Sequence, residues 1–523
     1  MSDRLSALAT VFTKPHGFSA AVGEEVIEVS VPVSTAAVLY EKVRNTLEYQ
    51  EEHLLRRGSI ERFFKRHIGD QALLSTLSSN LLRELVWAKY LPNKEVPIHL
   101  SVKLSAVIAK YDVLLKAADH LGEKRERVVE FIVDVLATEV ERTIAPPLHD
   151  EALASYMYEE MRTRVEWDPA FGLSDETKDL RLFIAIYRTL LKSNQETLRY
   201  RVLALYYPDW VGAGSAERTA DVAHNLAHIV DLIDGEINNP LTDRLGRLLR
   251  RRAGIFRVIK DVIAHNPHHF HGLLNEPDAL DRAVGEALHH RTHDFRIKLR
   301  RIVARTILFL FITKMFLALI LEVPYDLITA GEIAWEQLAV NVVFPPLFLA
   351  LLSLTITIPE KRNTDDYRAA VRALVVHADH PVLNLRLKKD VRSAWTTLFN
   401  MVYAITFLFV FGVIGSTLNH FGFHALSIAL FLFFLSLVTF FGIRIRSSTR
   451  DVVALDVRSG LFGTAFDIFL LPIVRMGSWL SVKVAKINVF IFFFDFIVEA
   501  PFKVAIQFIE HWLNFVREKK EEI

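Results

Sequence analysis

Apolar and polar residues are unevenly distributed along the chain. The first 300 positions mix both kinds, whereas long runs of Leu, Ile, Val and Phe follow from Ile302 onward. Such runs are apolar on every side of a helix, as lipid requires and as soluble helices seldom are. They predict four membrane spans, at residues 306–323, 338–358, 397–418 and 424–443. The sequence therefore predicts a mainly α protein, with a multi-pass membrane domain preceded by a large helical cytoplasmic region.

Ahead of the first span, apolar residues recur every three or four positions, which is typical of amphipathic helices in a soluble domain. Proline and glycine interrupt this pattern, because neither residue continues a helix well. Helices are predicted at about residues 101–145, 151–165, 175–205, 216–237, 241–264 and 276–301.

One short segment alternates instead. Ile27, Val29, Val31 and Val33 are separated by polar residues or proline, a period of two that predicts a half-buried strand. The segment EVPIHLSV, at residues 95–102, is a candidate partner for it. The expected fold is thus helical with a minor β element.

These patterns divide the chain into four regions. Residues 1–100 are predicted as a mixed, mostly helical N-terminal cytoplasmic region, 101–295 as a helical cytoplasmic domain and 296–445 as the membrane domain. Residues 446–523 hold two apolar stretches too short to cross about 30 Å of hydrocarbon, followed by an amphipathic helix. We interpret this last region as a re-entrant or interfacial membrane-associated tail, with six spans as the alternative.

Basic residues predict the orientation of the spans. They cluster before the first span, between the second and third, and after the fourth, whereas residues 324–337 contain no Lys or Arg. Since basic flanks stay on the cytoplasmic side, both termini are expected there. The N-terminus lacks the apolar core of a cleavable signal, which favours a multi-pass protein of the cell inner membrane.

Composition excludes several classes of function. The 523-residue chain has no cysteine, so disulfides, thiolate nucleophiles and cysteine metal sites are excluded. Its 62 Lys and Arg residues are balanced by 61 Asp and Glu, a net charge of +1. No nucleic-acid partner is expected, because phosphate binding needs a basic excess.

Histidine is the most noticeable polar feature, with nine of the 20 between His224 and His293. On one continuous helix Asp221, His224, His228 and Asp231 would share a sector of about 80° and offer N and O ligands to a divalent metal. Apolar residues fill the opposite sector, however, so a solvated helix face explains the same pattern.

A second candidate is the adjacent pair His149–Asp150, which resembles the metal-binding dyad of phosphohydrolases only in its two residue types. The pair follows two prolines and so is expected at a helix start. Asp150 is equally well explained there by the favourable position of an acid at a helix N-terminus.

Lys314 is the sharpest anomaly, because it lies in the middle of the first span, where an ionised lysine needs a partner or water. Candidate partners in apolar surroundings are Asp467, Asp495 and Glu499, with Glu322 as a local partner if the lysine extends outward. Such a pair could belong to an ion or proton pathway, or it could lock the tail against the first span.

Two features suggest contact with the membrane surface. Arg247, Arg250 and Arg251 lie on a predicted basic amphipathic helix that could rest against anionic headgroups, and the alternative is a packed helix with a solvated arginine face. Trp512 lies on the apolar side of the amphipathic helix in the tail.

No catalytic residue can be assigned and no cofactor is predicted; a divalent metal is expected only for a hydrolase. We therefore expect a membrane-anchored scaffold that recruits a partner, with the lipid bilayer and a protein partner or a second copy as its contacts. A channel or transporter using Lys314 is the first alternative, and a membrane-tethered metal-dependent hydrolase is the second.

Overall fold

The computed structural model describes residues 3–13, 24–29, 52–68, 74–329, 331–354, 360–376, 384–387, 395–448, 470–480 and Trp512. The helices that precede the long apolar runs are α1 Asp3–Phe12, α2 Glu52–His67, α3 Ser78–Trp87, α4 His99–Ala118, α5 Arg125–Ile144, α6 Leu148–Arg162, α7 Asp175–Leu190, α8 Gln195–Tyr206, α9 Ala216–His224, α10 Leu226–Ile237, α11 Pro240–His265 and α12 Phe270–Leu273.

The remaining helices are α13 Pro277–Leu317, α14 Val323–Thr329, α15 Trp335–Leu354, α16 Glu360–Val376, α17 Trp395–His420, α18 Ala425–Ser448 and α19 Leu470–Leu480. Short 3-10 turns lie at Leu74–Leu77, Gly122–Lys124, Pro169–Phe171 and Pro208–Trp210. A π turn, Ala318–Glu322, joins α13 to α14. The predicted mainly helical class is confirmed.

The helices form two compact units. We call the first the helical unit; it contains Ala7–Arg162 and Leu173–Leu249. The second, the membrane unit, contains Thr163–Gly172 and Arg250–Asn488 and includes all the long apolar helices. The four regions expected from composition stay a prediction.

Helix α5 is the centre of the helical unit. It packs against α2, α4, α8 and α10, and every residue from Phe131 to Glu141 is buried. Because all sides of this stretch are enclosed, its buried charges, Asp134 and Glu139, must be satisfied by other side chains.

Two of the predicted helices are each divided in two, one at a glycine turn and one at a helix cap. The expected helix at 101–145 is α4 and α5, separated by a turn in which Gly122 has φ +54°, a conformation that glycine adopts at little cost. The expected helix at 175–205 is α7 and α8, and α8 begins where the Asn194 side chain accepts a hydrogen bond from the Thr197 backbone N–H.

The β structure differs partly from the expectation. Val26 and Pro97 form an isolated antiparallel bridge, so the predicted partner segment is confirmed there, but α4 begins at His99. Residues 30–33 lie outside the described part. The sheet itself was not predicted: β1, Val165–Trp167, pairs in parallel with β2, Leu385–Leu387, inside the membrane unit.

In the part of the membrane unit that the structure describes, four helices are long and apolar enough to cross a membrane, as predicted. They lie within Pro277–Thr329, Trp335–Leu354, Met401–His420 and Ala425–Ile443. α13, α15 and α18 pack together around Leu310, Leu349, Phe434 and Val438. The predicted second span continued to residue 358, and its last four residues lie outside the described part.

Apolar side chains also cover much of the outside of these helices. On α17, Met401, Ile405, Leu408 and Phe409 are all exposed. A soluble protein rarely leaves so many large apolar side chains together in water, whereas lipid solvates them well. The arrangement fits a surface that faces hydrocarbon.

Helix α19 is the described part of the predicted tail. Its eleven residues span about 16 Å, too short to cross the hydrocarbon layer. Leu470 and Ile473 pack into a cluster with Phe431 and Leu435 of α18. Asp467, residues 487–498 and the predicted amphipathic helix, apart from Trp512, lie outside the described residues.

At Gly477, α19 packs directly against the backbone of α18. A Cβ atom at this position would overlap the backbone carbonyl oxygen of Ser436 and lie 2.7 Å from Cβ of Phe440. We expect Gly477→Ala to destabilise the membrane unit by about 1–3 kcal/mol, because neither a backbone atom nor a Cβ can move independently of its helix.

The measurement is unfolding of the full-length protein in detergent. Gly412→Ala is the matched control, since Gly412 lies inside α17 and an added Cβ there would meet no atom within 4 Å. Equal stability of the two variants would contradict the close approach of α19 to α18.

Candidate functional site

The predicted intramembrane charge lies in a closed polar cluster. Lys314 Nζ is 2.8 Å from Oε1 of Glu322, and the two side chains are 0% and 1% exposed. The amide nitrogen of Asn341 donates to Oε2 of Glu322 at 2.6 Å and to the backbone oxygen of Ser427 at 3.2 Å. The ammonium group also lies 4.9 Å from the centre of the Phe434 ring.

The local helix geometry explains how one chain segment supplies both charges. Pro324 has no backbone N–H and so cannot donate to a carbonyl in the preceding turn. The wider π turn, Ala318–Glu322, lies immediately before it. Lys314 lies one helical turn before this irregular stretch and Glu322 is its last residue, and their side chains meet within the bundle.

Among the described residues, Lys314 pairs with Glu322, the local candidate. The expectation that such a pair would require the lysine to extend outward is wrong, because both side chains are buried. Asp467, Asp495 and Glu499, the other proposed partners, lie outside the described residues. The neighbours of the pair come from α15 and α18: Asn341 donates to Glu322, and the Phe434 ring lies beside the ammonium group.

Two oxygen atoms near this cluster have no hydrogen-bond partner among the described residues: Oδ1 of Asp326 and Oδ1 of Asn341. Both side chains are nearly inaccessible, at 2% and 0% exposed. Unsatisfied buried oxygens are costly, so each is an acceptor that a further donor would stabilise.

The structure does not bring the histidines proposed as metal ligands together on one helix. α9 ends at His224 and α10 begins at Leu226, so Asp221, His224 and His228 do not share one continuous helix. All three are exposed. Within the part of the chain that the structure describes, no three His, Asp or Glu side chains form a group suited to a metal ion.

The last proposed ligand, Asp231, is already engaged with cations. Lys124 Nζ lies 3.3 Å and Arg127 Nη1 lies 2.7 Å from its carboxylate oxygens. Asp221 similarly pairs with Arg218. The geometry favours the solvated face over the metal site.

His149 and Asp150 lie in the first turn of α6, as expected for residues that follow two prolines. The His149 ring stacks on Phe12, with ring centres 4.0 Å apart and planes 5° apart. Asp150 is favourably placed at the positive end of the helix dipole. Both residues therefore have structural explanations.

The basic helix is embedded more deeply than a surface helix would be. Arg247 is exposed, whereas Arg250 and Arg251 are half-buried, and every residue from Ala253 to Ile259 is buried. A helix resting on lipid buries one face only. Contact of the arginines with headgroups stays a prediction, as does that of Trp512, which is 58% exposed.

A buried lysine, not predicted from the sequence, holds a loop of the helical unit. Lys110 Nζ lies 2.8 Å from both Glu139 and the backbone oxygen of Gly212, and it also donates to the backbone oxygen of Trp210. Gly212 N–H donates to Glu139 at 2.8 Å, and Tyr111 donates to the same carboxylate. Burial lowers the pKa of Lys110 and raises the pKa of Glu139.

A second buried network surrounds Arg199. Its guanidinium binds Asp134 at 2.6 Å and Asp234 at 2.8 and 2.9 Å, and Arg127 also reaches Asp234 at 3.0 Å. Burial, together with the charges of nearby carboxylates, raises the pKa of Asp134 to about 7 despite the pair with Arg199. The network joins α5, α8 and α10.

The sequence contained a signal for both networks. Lys110 interrupts the apolar run SAVIA–YDVLL of α4, and Asp134 and Glu139 interrupt the run FIV–VLATEV of α5. Charges inside an apolar stretch of a soluble domain indicate buried pairs, because an unpaired charge there is too costly. The partners themselves could not be identified from spacing.

The helical unit also contains an open cavity of about 570 Å³, which we call the acidic cavity. Its walls come from α6, α7, the end of α8 and α10. They are formed by Ala154, Ser155, Tyr158, Glu159, Glu176, Thr177, Asp179, Leu180, Phe183, Tyr187, Leu205, Tyr206 and Glu236. Four of these residues are acidic and none is basic.

No protein-family model, curated protein or solved structure matches this chain.

Proposed function

We propose that the protein is a membrane-anchored scaffold whose helical unit recruits a protein partner on the cytoplasmic side. Three facts support this proposal. Four helices have the length and apolarity of spans, the basic residues flank them in the pattern of cytoplasmic loops, and the buried charges of the helical unit are engaged in structural networks.

The observation that carries the proposal is the acidic cavity. Its volume of about 570 Å³ falls within the range of about 300–1,000 Å³ for binding pockets. Leu205 and Tyr206, at its edge, are 48% and 42% exposed. Large exposed apolar side chains beside a cavity are typical of a surface that another molecule covers.

Site-specific photo-crosslinking tests the proposal in intact cells. A photoreactive residue at Leu205 of the full-length protein should give a discrete cross-linked species of higher mass after illumination. Val113 supplies the matched control, because it is 45% exposed and apolar, belongs to the same unit and does not line the cavity. Equal products from both positions, or none from Leu205, would contradict recruitment through this cavity.

The second candidate function is an ion or proton pathway through the membrane unit. It is favoured by the two buried oxygens without partners, Oδ1 of Asp326 and Oδ1 of Asn341, close to the Lys314–Glu322 pair. A metal-dependent hydrolase has no comparable support, since the residues proposed for its metal form no group of three ligands in the described part of the chain.

A further inference from the structure

The polar cluster of the membrane unit contains more buried acid than base. The side chains of Lys314, Glu322 and Asp326 are 0%, 1% and 2% exposed, so one ammonium group is enclosed with two carboxylates. Lys314 and Glu322 are paired at 2.8 Å. Asp326 forms no ion pair in the described part of the membrane unit. One carboxylate of the cluster is therefore left without a counter-charge.

The hydrogen bonds of Asp326 are also incomplete. Its Oδ2 atom accepts one bond, from the backbone N–H of Ala334, at 3.4 Å, which is long for an N–H donor. Its Oδ1 atom is closed to solvent and has no donor among the residues that the structure describes. An ionised carboxylate with so few donors is costly in an apolar bundle unless a cation accompanies it.

Further oxygen atoms belong to the same cluster. Glu322 precedes Asp326 by four positions, so the two carboxylates lie one helical turn apart on the same side. The Asn341 amide nitrogen donates to Glu322 at 2.6 Å, and its Oδ1 is buried without a described donor. Pro324, between the two acids, has no N–H and leaves this turn one backbone donor short. Carboxylate, amide and carbonyl oxygens are the ligands that hard cations prefer.

The chain around this end of the bundle is acidic. The connection between the first two predicted spans contains Asp326, Glu332 and Glu336 and no Lys or Arg. Glu332 and Glu336 are exposed. From the start of α18, His424 has its ring centre 6.3 Å from that of Tyr325. A surface whose charges are acidic attracts small cations and disfavours anions.

We infer that Asp326 binds one small monovalent cation, an alkali-metal ion or a proton, inside the membrane unit. Either one supplies the missing positive charge. An alkali ion would be held by Oδ1 of Asp326 with neighbouring oxygens, whereas a proton would turn Oδ1 from an acceptor into a donor. Such a site does not depend on recruitment by the helical unit, and it gives the second candidate function, the ion or proton pathway, a place to bind its ion.

Thermal unfolding of the full-length protein in detergent tests for the alkali ion. Sodium chloride replaces choline chloride at constant ionic strength and pH, so that only the identity of the cation changes. We expect the melting temperature of the wild type to rise by about 2–4 °C for each tenfold increase in Na+ above the dissociation constant, because the ion binds the folded state alone. Asp326→Asn should abolish this rise, because the amide has no charge to neutralise.

Infrared spectroscopy of the protein in Na+-free buffer tests for the proton. A protonated carboxyl group has a C=O stretching band that a carboxylate lacks. If the proton is the bound cation, the difference spectrum between the wild type and Asp326→Asn should contain this band at neutral pH, and Na+ should have no effect on the melting temperature.

Glu332→Gln is the matched control, since Glu332 is exposed on the same connection. It should keep the Na+ response or the carboxyl band of the wild type. A wild type with neither signal would overturn the inference, even if Asp326→Asn does not fold. A signal of equal size in Asp326→Asn would overturn it as well, because the cation would then bind elsewhere.

The cation site and the ion pathway can fail separately. Cation binding at Asp326 in a protein that shows no ion flux in reconstituted vesicles would support the site and contradict the pathway. Flux that is unchanged in Asp326→Asn, with no cation signal in the wild type, would overturn the site and leave the pathway standing.

Discussion

Lys110→Met should destabilise the helical unit by about 3–5 kcal/mol, because the substitution removes one partner of a buried ion pair. The side chains of Lys110 and Glu139 are 1% and 2% exposed. Without the ammonium group, the Glu139 carboxylate stays buried without a counter-charge, and the carbonyl oxygens of Trp210 and Gly212 lose their donor. Thermal unfolding in detergent measures the loss.

The same variant should release the loop that Lys110 holds. Limited proteolysis is expected to cut near Gly212–Ser215 faster than in the wild type, since the loop is no longer hydrogen-bonded to α4. Adding Glu139→Gln should restore part of the stability, because the buried charge is then removed. Lys103→Met, at an exposed position of the same helix, should change stability by less than about 0.5 kcal/mol. A similar loss in Lys103→Met would show that the ion pair is not responsible.

The second large effect is expected in the membrane unit. Lys314→Met should lower its stability by about 3–5 kcal/mol, because Glu322 would keep a charge in an apolar bundle with only the Asn341 amide as donor. Combining Lys314→Met with Glu322→Gln should recover most of this loss. Resistance to unfolding by SDS in mixed micelles measures the effect.

Leu319→Met is a suitable control for this experiment, since Leu319 is 58% exposed on the same irregular segment. Ion flux in reconstituted vesicles separates the two explanations of the pair. A Lys314→Met variant that keeps wild-type stability but loses a flux shown by the wild type would mean that the pair belongs to a conduit. Lost stability without a flux phenotype would mean that the pair is structural.

The membrane spans were predictable because apolarity around a whole helix is a strong, local signal. All four spans appear as helices, but the first is not a separate element. The helix at 276–301 and the span at 306–323 belong to one segment, Pro277–Thr329. No proline interrupts residues 278–323, so nothing in the chain ends the helix at the membrane boundary.

Pairings between segments far apart in the sequence were harder to predict. β1 and β2 are separated by more than 200 positions in the sequence. Each has only three residues, which is too short to show the alternation of apolar and polar residues that predicts a strand. The break between α9 and α10 at Asn225 was also missed, because the helical pattern of apolar residues continues through it. That break separates the histidines that seemed to share one face in a continuous helix.

The candidate sites show the same limit. Lys314 was conspicuous because its surroundings are uniformly apolar, and its sequence neighbour Glu322 could be named as a partner. The acidic cavity combines residues from α6, α7, α8 and α10, and each carboxylate is by itself an ordinary surface acid. Only the tertiary fold brings these acids and rings together.

The uninterrupted helix α13 has a packing face near each end, and the helical repeat fixes the angle between these two faces. Leu280, Val284 and Leu288 are buried near its start, where it packs on α16, and Leu310 is buried near its end, against α15. One residue inserted between them would turn the faces by about 100° relative to each other, whereas seven would nearly restore their alignment. Because α13 is one continuous helix, a rotation about its axis at one end is transmitted to the packing face at the other end.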